Sequence, residues 1–276
     1  MVIDGKQLAA EIVKELKKER QEINKKIRLA VVLVGDNPAS LSFVKQKEKI
    51  AKILNIDFRL YQYPETIKTK ELRQKISEIS RVTFNRGLVV QLPLPSHINS
   101  QVVLNAILPL KDPDVLCEKN LGKFYVNRLD ILPPVVASIK YLLEKYRVNI
   151  EGKNVLIIGR GQLVGKPAAL WFLNQRATVI IANSKTQNLE EFTQKADIII
   201  TSAGVPKLIT KEMIKPNVII FDAAVVSEAG KLVGDCDFEA VKEKASLITP
   251  VPGGLGPLTV AFLFKNLLEL VKQQKE

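Results

Sequence analysis

Apolar runs of strand length alternate with amphipathic runs of helix length along the whole chain, and few folds accept that order. RLAVVLV (28–34), IDFRLYQY (56–63) and GLVVQL (87–92) read as strands, while residues 5–24, 39–54, 68–82 and 99–107 carry helical periodicity. A second strand series follows in NVLIIG (154–159), ATVIIA (177–182), ADIIIT (196–201) and NVIIFD (217–222). Such a βαβα pattern implies parallel sheets with helices on their faces. The expectation is an α/β chain of two α/β domains, residues 1–119 and 120–276, with a cleft between them. The seam is read within PLKDPDVLCEKNLGKF (109–124), where turn residues break the periodicity before a helix over 134–147. Residues 257–276 form a terminal helix with Pro257 near its first turn, expected to return to the first domain. Ligands of open α/β sheets bind beyond the carboxyl ends of the strands, so chemistry is sought there.

Composition removes several classes of function. None of the 276 residues lies in a run approaching the roughly 18 to 20 apolar residues that span a bilayer. The opening MVIDGKQLAAEIVKELKKER mixes charges among its apolar positions, unlike a signal peptide. A cytoplasmic protein without membrane partners is expected. Cys117 and Cys236 are the only cysteines and have no CxxC spacing or His/Cys neighbours, so neither a metal site nor a disulfide is expected. The formal charge of +12 suits an anionic partner. Because the lysines spread over helix faces without interleaved aromatics, a solvated face is the better reading than a nucleic-acid surface. That leaves a phosphorylated cofactor or a carboxylate-bearing substrate.

NVLIIGRGQLVGKPAALWFL supplies the first: a strand, a turn with Gly159, Gly161 and Gly165, then a helix. Glycines allow close approach to a pyrophosphate, and a helix N-terminus offers free N–H groups and the positive end of its dipole. The GxGxxxG spacing is one residue longer than the usual fingerprint, and its bland alternative is a structural βα turn. The second half is therefore read as a Rossmann-type NAD(P)-binding domain. An NAD site generally carries a carboxylate at the end of the next strand. Here stand Asn183, Ser184, Lys185 and Thr186, with Arg160 in the loop as a candidate phosphate partner, so NADP is favoured over NAD.

In the first half, VGDNPASLSFVKQKEKIAKIL puts Phe43 and Lys47 four residues apart on one helical face, just after a strand. Alone, that spacing is usually core plus a snorkelling stem. With VQLPLP (90–95), KDPD (111–114), GRGQLVGKP (159–167), GKLVGDCDF (230–238) and TPVPGGLGPLT (249–259), however, the sequence resembles the bifunctional methylenetetrahydrofolate dehydrogenase/cyclohydrolase family, FolD, over essentially its whole length.

The resemblance implies a homodimer that oxidises 5,10-methylenetetrahydrofolate with NADP and hydrolyses the methenyl product to 10-formyltetrahydrofolate in one-carbon metabolism. It makes Lys47 the catalytic lysine, Gln91 its hydrogen-bonding positioner and Asp114 the acceptor of pterin N–H donors. Phe43, Val90, Leu92, Pro252, Gly253, Gly254, Gly256 and Pro257 fall in substrate-binding stretches. Gly159, Arg160, Gly161, Ser184 and Val225 fall at cofactor contacts. Departures cluster in both sites. Phe43 replaces a tyrosine, Val115 a glycine, Val135 a threonine, Gly161 a phosphate-facing serine and Ala224 a glycine. Two alternatives stay open on the residues alone: a relative that has lost one or both reactions and only binds folate or nucleotide, and a different Rossmann oxidoreductase. The sole histidine, His97, and the pair Asp222 and Asp235 are read as turn or structural groups.

Overall fold

The computed structural model describes residues 1–228 and 230–274. The chain forms α1 (Gly5–Glu22), β1 (Arg28–Val34), α2 (Pro38–Ile53), β2 (Asp57–Tyr63), α3 (Thr69–Arg81), β3 (Asn85–Val90), α4 (Ser100–Leu104), α5 (Glu118–Tyr125) and α6 (Pro134–Lys145). There follow β4 (Asn154–Ile158), α7 (Gly165–Asn174), β5 (Thr178–Ala182), α8 (Leu189–Lys195), β6 (Ile198–Thr201) and β7 (Ile219–Asp222). A small hairpin of β8 (Val226–Glu228) and β9 (Lys231–Val233), then α9 (Phe238–Val241), β10 (Leu247–Ile248) and α10 (Leu255–Gln273), complete the chain. The expected parallel sheets are present, in the orders β2-β1-β3 and β10-β7-β6-β4-β5.

The residues group into two compact units. One joins Met1–Ala9 to Val135–Thr259, and the other joins Ala10–Pro134 to the chain from Val260 onward. The change of unit therefore falls after α5, not at 119/120 within it. The reading of 109–124 as irregular missed α5 because what orders that segment is tertiary. Asp112, fully buried, accepts from the Leu116 and Cys117 N–H groups, each at 2.9 Å, and from Asn120 Nδ2 at 3.1 Å. Met1–Ala9 belongs with the second-half sheet because Val2 bridges Ile248. The Ile3 N–H donates to Ile248 O at 2.9 Å, and the Ile248 N–H donates to Met1 O at 3.0 Å.

In the first-half sheet β1 is central, and six of its seven residues are buried. That explains its unbroken apolar sequence. The terminal helix α10 begins at Leu255, two residues ahead of Pro257. Its later part packs on this sheet at Gly87, where an added Cβ would lie 2.4 Å from Leu267 Cδ1. The absence of a side chain lets helix and strand approach closely. Lys272 pairs with Glu19 at 2.6 Å at the far end. Strand β3 ends at Val90, not at residue 92. The Gln91 N–H still donates to Val32 O at 2.8 Å, but Pro93 has no N–H with which to continue the ladder.

Candidate active site

Lys47 lies in α2, whose start is set by Asn37. The Asn37 side chain accepts from the Ala39 and Ser40 N–H groups, and Pro38 occupies the first helical position. The helix turns Lys47 inward until only 7% of it is exposed. Its ammonium donates to Gln91 Oε1 at 2.6 Å, and Gln91 Nε2 donates to Leu92 O at 2.8 Å. The amide is thereby oriented with its oxygen toward the lysine. Phe43, one turn earlier and half-buried, places its ring centroid 5.9 Å from Lys47 Nζ. Burial pushes the amine's pKa below its usual value, and the charge of Asp114 opposes that only in part. Asp114 is displaced the other way. Desolvation raises it to about 6, with Lys47 lowering and Asp112 raising it further, so a carboxylate and an amine stand within electrostatic reach of each other.

The loop bearing Asp114 carries strain. Val115 is fully buried at φ 60°, in the left-handed region that costs an L-residue about 1–2 kcal/mol. Glycine, which the resemblance expects there, would escape that cost. Valine is held by the Asp112 network and by its own N–H, which donates to Asp112 O at 3.3 Å.

In the other unit the glycine turn after β4 fits a pyrophosphate. Gly159 has φ 106°, and a Cβ on it would fall 2.7 Å from Ser202 Oγ. A Cβ on Gly165, the first residue of α7, would fall 2.0 Å from Gly159 O. At Gly159 and Gly165 backbone or side-chain atoms approach so closely that a Cβ is excluded, which suits the start of α7 to an anion. Around Gly161 the space is open, with nothing within 4 Å of an added Cβ. Arg160 and Ser184 are exposed and Val225 half-buried, while Ala224 is buried. Asn183 organises the strand-end turn, its side chain accepting from the Lys185 N–H at 3.0 Å. No carboxylate stands in Asn183–Thr186.

The loop Val251–Leu255 is equally constrained. Gly253 has φ 107°, and Gly254 packs so closely that a Cβ would lie 2.5 Å from Pro250 O. Gly5, which no motif in the sequence marks, seats this loop: its own added Cβ would meet Gly254 O at 1.9 Å. Pro252 is exposed, and Gly256 and Pro257 are half-buried in the first turn of α10.

The groups read as structural behave so. His97 is exposed, its ring bonded to Ile67 O at 3.0 Å. Asp222 accepts from the Ala224 and Cys236 N–H groups, at 3.1 and 3.0 Å. Asp235 accepts from Thr201 Oγ1 and from the Ala203 and Val205 N–H groups. Among the described residues no cluster of His, Cys, Asp or Glu could hold a metal, and both cysteines are free and buried. No described helix is long and apolar enough to cross a membrane.

A dinucleotide turn on one α/β unit, with a buried lysine–glutamine pair beside a perturbed carboxylate on the other, defines an NAD(P)-linked enzyme. The particular family follows from comparison with known proteins. Residues 3–114 match the catalytic domain of tetrahydrofolate dehydrogenase/cyclohydrolase and residues 133–275 match its NAD(P)-binding domain. The chain belongs to the tetrahydrofolate dehydrogenase/cyclohydrolase family. It is 43% identical to the bifunctional protein FolD of Exiguobacterium sibiricum over 99% of both chains, and 44% identical to that of Rickettsia bellii over 98% of both. Among solved structures, the bifunctional FolD enzyme of Campylobacter jejuni superposes with a TM-score of 0.92 at 40% identity, covering 99% of both chains. The Trypanosoma brucei enzyme, solved with NADP and an inhibitor, also gives 0.92, at 32% identity over 99% of this chain and 97% of that one.

Proposed function

We propose that this chain oxidises 5,10-methylenetetrahydrofolate with NADP and hydrolyses the resulting methenyl compound to 10-formyltetrahydrofolate. The observation that carries the reading is the buried amine of Lys47, oriented by Gln91 and depressed in pKa. When bound, NADP supplies the acceptor for a hydride leaving the one-carbon unit. The carbon is then cationic and open to water. Lys47, when neutral, accepts a proton from that water as its oxygen bonds to the carbon. The Lys47 ammonium returns that proton to the ring nitrogen N5, and the bond from carbon to N5 breaks as the new hydroxyl releases its remaining proton to solvent and becomes the carbonyl, leaving the formyl group on N10. A depressed pKa raises the fraction of amine able to do this near neutrality. Phe43 offers an apolar face to the aromatic part of the substrate, and Val90 and Leu92 flank Gln91 in the same unit; the Pro252–Pro257 loop is a substrate-binding stretch by the family resemblance. Asp114 accepts from the pterin's N–H donors, a bidentate task suited to a carboxylate.

Two assays test the reading. Purified protein with methylenetetrahydrofolate should reduce NADP, and methenyltetrahydrofolate should lose its absorbance faster than in buffer. Rates no greater than the blank in both would leave only a binding protein. Because Asp114 titrates at about 6, the carboxylate is present above that pH and lost below it. The KM for methylenetetrahydrofolate should therefore climb as pH falls through about 6, while an Asp114→Asn variant shows no such rise.

The cofactor site supports a further expected result. Gly161 stands where the family places a phosphate-facing serine, and a side chain there meets no obstacle. Gly161→Ser should tighten NADP binding by about tenfold, the lower end of what one hydrogen bond to a charged group contributes, as read by fluorescence titration. The reading extends to a cytoplasmic homodimer. Supporting an interface, β5 ends its sheet with Ile181 48% exposed, and Leu173 on α7 is 62% exposed.

A further inference from the structure

Val115 is the only β-branched residue among the described non-glycine residues at positive φ, and it follows Asp114 directly. Such a conformation persists only where the surroundings over-determine it. On its downstream side the surroundings are the Asp112 carboxylate and its bonds to the Leu116 and Cys117 N–H groups. On the upstream side they come from elsewhere in the sequence. Asn266, 5% exposed in α10, donates from Nδ2 to Pro113 O at 2.9 Å and to Leu132 O at 2.7 Å.

Asn266 is out of place by composition. Phe264, Leu267 and Leu268 beside it are fully buried, and an amide among them costs free energy unless it is hydrogen-bonded. Both of its N–H donors are spent on loop carbonyls. Pro113 O belongs to the peptide group that links Pro113 to Asp114, so a bond to it fixes the plane from which the Asp114 side chain departs. The second bond ties the residue before Pro133 and Pro134 to the same amide.

We infer that Asn266 is a positioning residue for substrate binding: from the terminal helix it holds the Pro113–Asp114 peptide so that the Asp114 carboxylate faces the pterin. The inference rests on the proposed role of Asp114. A structural role alone would change stability and leave the substrate KM where it was.

Asn266→Leu keeps the volume and removes both donors. The KM for methylenetetrahydrofolate should rise about tenfold, equivalent to about 1.4 kcal/mol. The KM for NADP should stay within about twofold. In an Asp114→Asn background the same substitution should add less than about twofold, because the group it positions is already lost. An unchanged folate KM, or full additivity with Asp114→Asn, overturns the inference. If Asp114→Asn alone leaves the folate KM unchanged, it is the role of Asp114 that fails, and the inference with it. Should Asn266→Leu not accumulate as folded protein, Asn266→Ser, which keeps one donor, is judged by the same two criteria, and circular dichroism establishes that it is folded.

Discussion

Lys47→Met is expected to lower hydrolysis of methenyltetrahydrofolate by at least about a hundredfold, the low end of what a positioned acid or base contributes. The fold should survive. The substitution removes a desolvated amine and replaces it with an apolar chain of similar length, at the cost of leaving Gln91 Oε1 without its donor at 2.6 Å. The linkage points the same way. Lys47 has a folded pKa below its unfolded value, so the unfolded chain binds the extra proton, and native stability rises with pH between the two values. At any pH below the unfolded value, pH 7 included, the native state therefore carries a cost that methionine does not. The melting temperature at pH 7 should therefore be at or above that of the unaltered protein. The rate profile supplies the sharper test. Hydrolysis should rise with pH as the amine loses its proton, along a limb centred below the ordinary lysine pKa, and that limb should be missing in Lys47→Met. Unchanged hydrolysis in the variant would remove the lysine from the chemistry.

The parts of this site that the sequence announces are those built by local geometry. Phe43 and Lys47 share a face because helices repeat every 3.6 residues, and the glycine turn is legible because a strand, a tight loop and a helix follow one another without interruption. Lys47 was singled out by resemblance, however, not by spacing, since what distinguishes it is burial against Gln91, forty-four residues away. Asp112 and Asp114 are indistinguishable in KDPD. Only the fold reveals that the first turns inward onto three N–H donors while the second stays partly exposed beside the lysine. Gly5 and Asn266 were invisible for a similar reason. Their contacts, with Gly254 and with Pro113 and Leu132, span far more sequence than any periodicity records. The one available signal was the polar interruption of an otherwise apolar helix at Asn266. Strand β10 and the N-terminal bridge beside it are too short to generate a pattern at all.

Gly165→Ala should separate the two reactions in the opposite sense to Lys47→Met. An added Cβ would lie 2.0 Å from Gly159 O and 2.9 Å from Arg160 Cα, both backbone atoms, so the turn itself has to move. It cannot shift freely. Gly159 sits at φ 106° against Ser202, and its N–H is committed to Ala182 O at 2.9 Å. The displacement therefore falls on the segment whose N–H groups and helix end would face the pyrophosphate, where electrostatic stabilisation depends on close backbone approach. NADP-dependent oxidation should drop by at least about a hundredfold, as expected where misplacement of about 1 Å already costs that much. Hydrolysis, which needs no nucleotide, should stay within about twofold because the lysine, its glutamine and Asp114 all belong to the other unit, where the lysine–glutamine bond does not involve the turn. Retained hydrolysis is also the control for folding, since a globally disrupted protein would lose both. Oxidation persisting at the native rate would place the cofactor elsewhere than the turn between β4 and α7. Gly161→Ser, four residues earlier in the same turn, should meanwhile improve binding. The contrast between a glycine required by sterics and one that is dispensable follows from what lies within 4 Å of each.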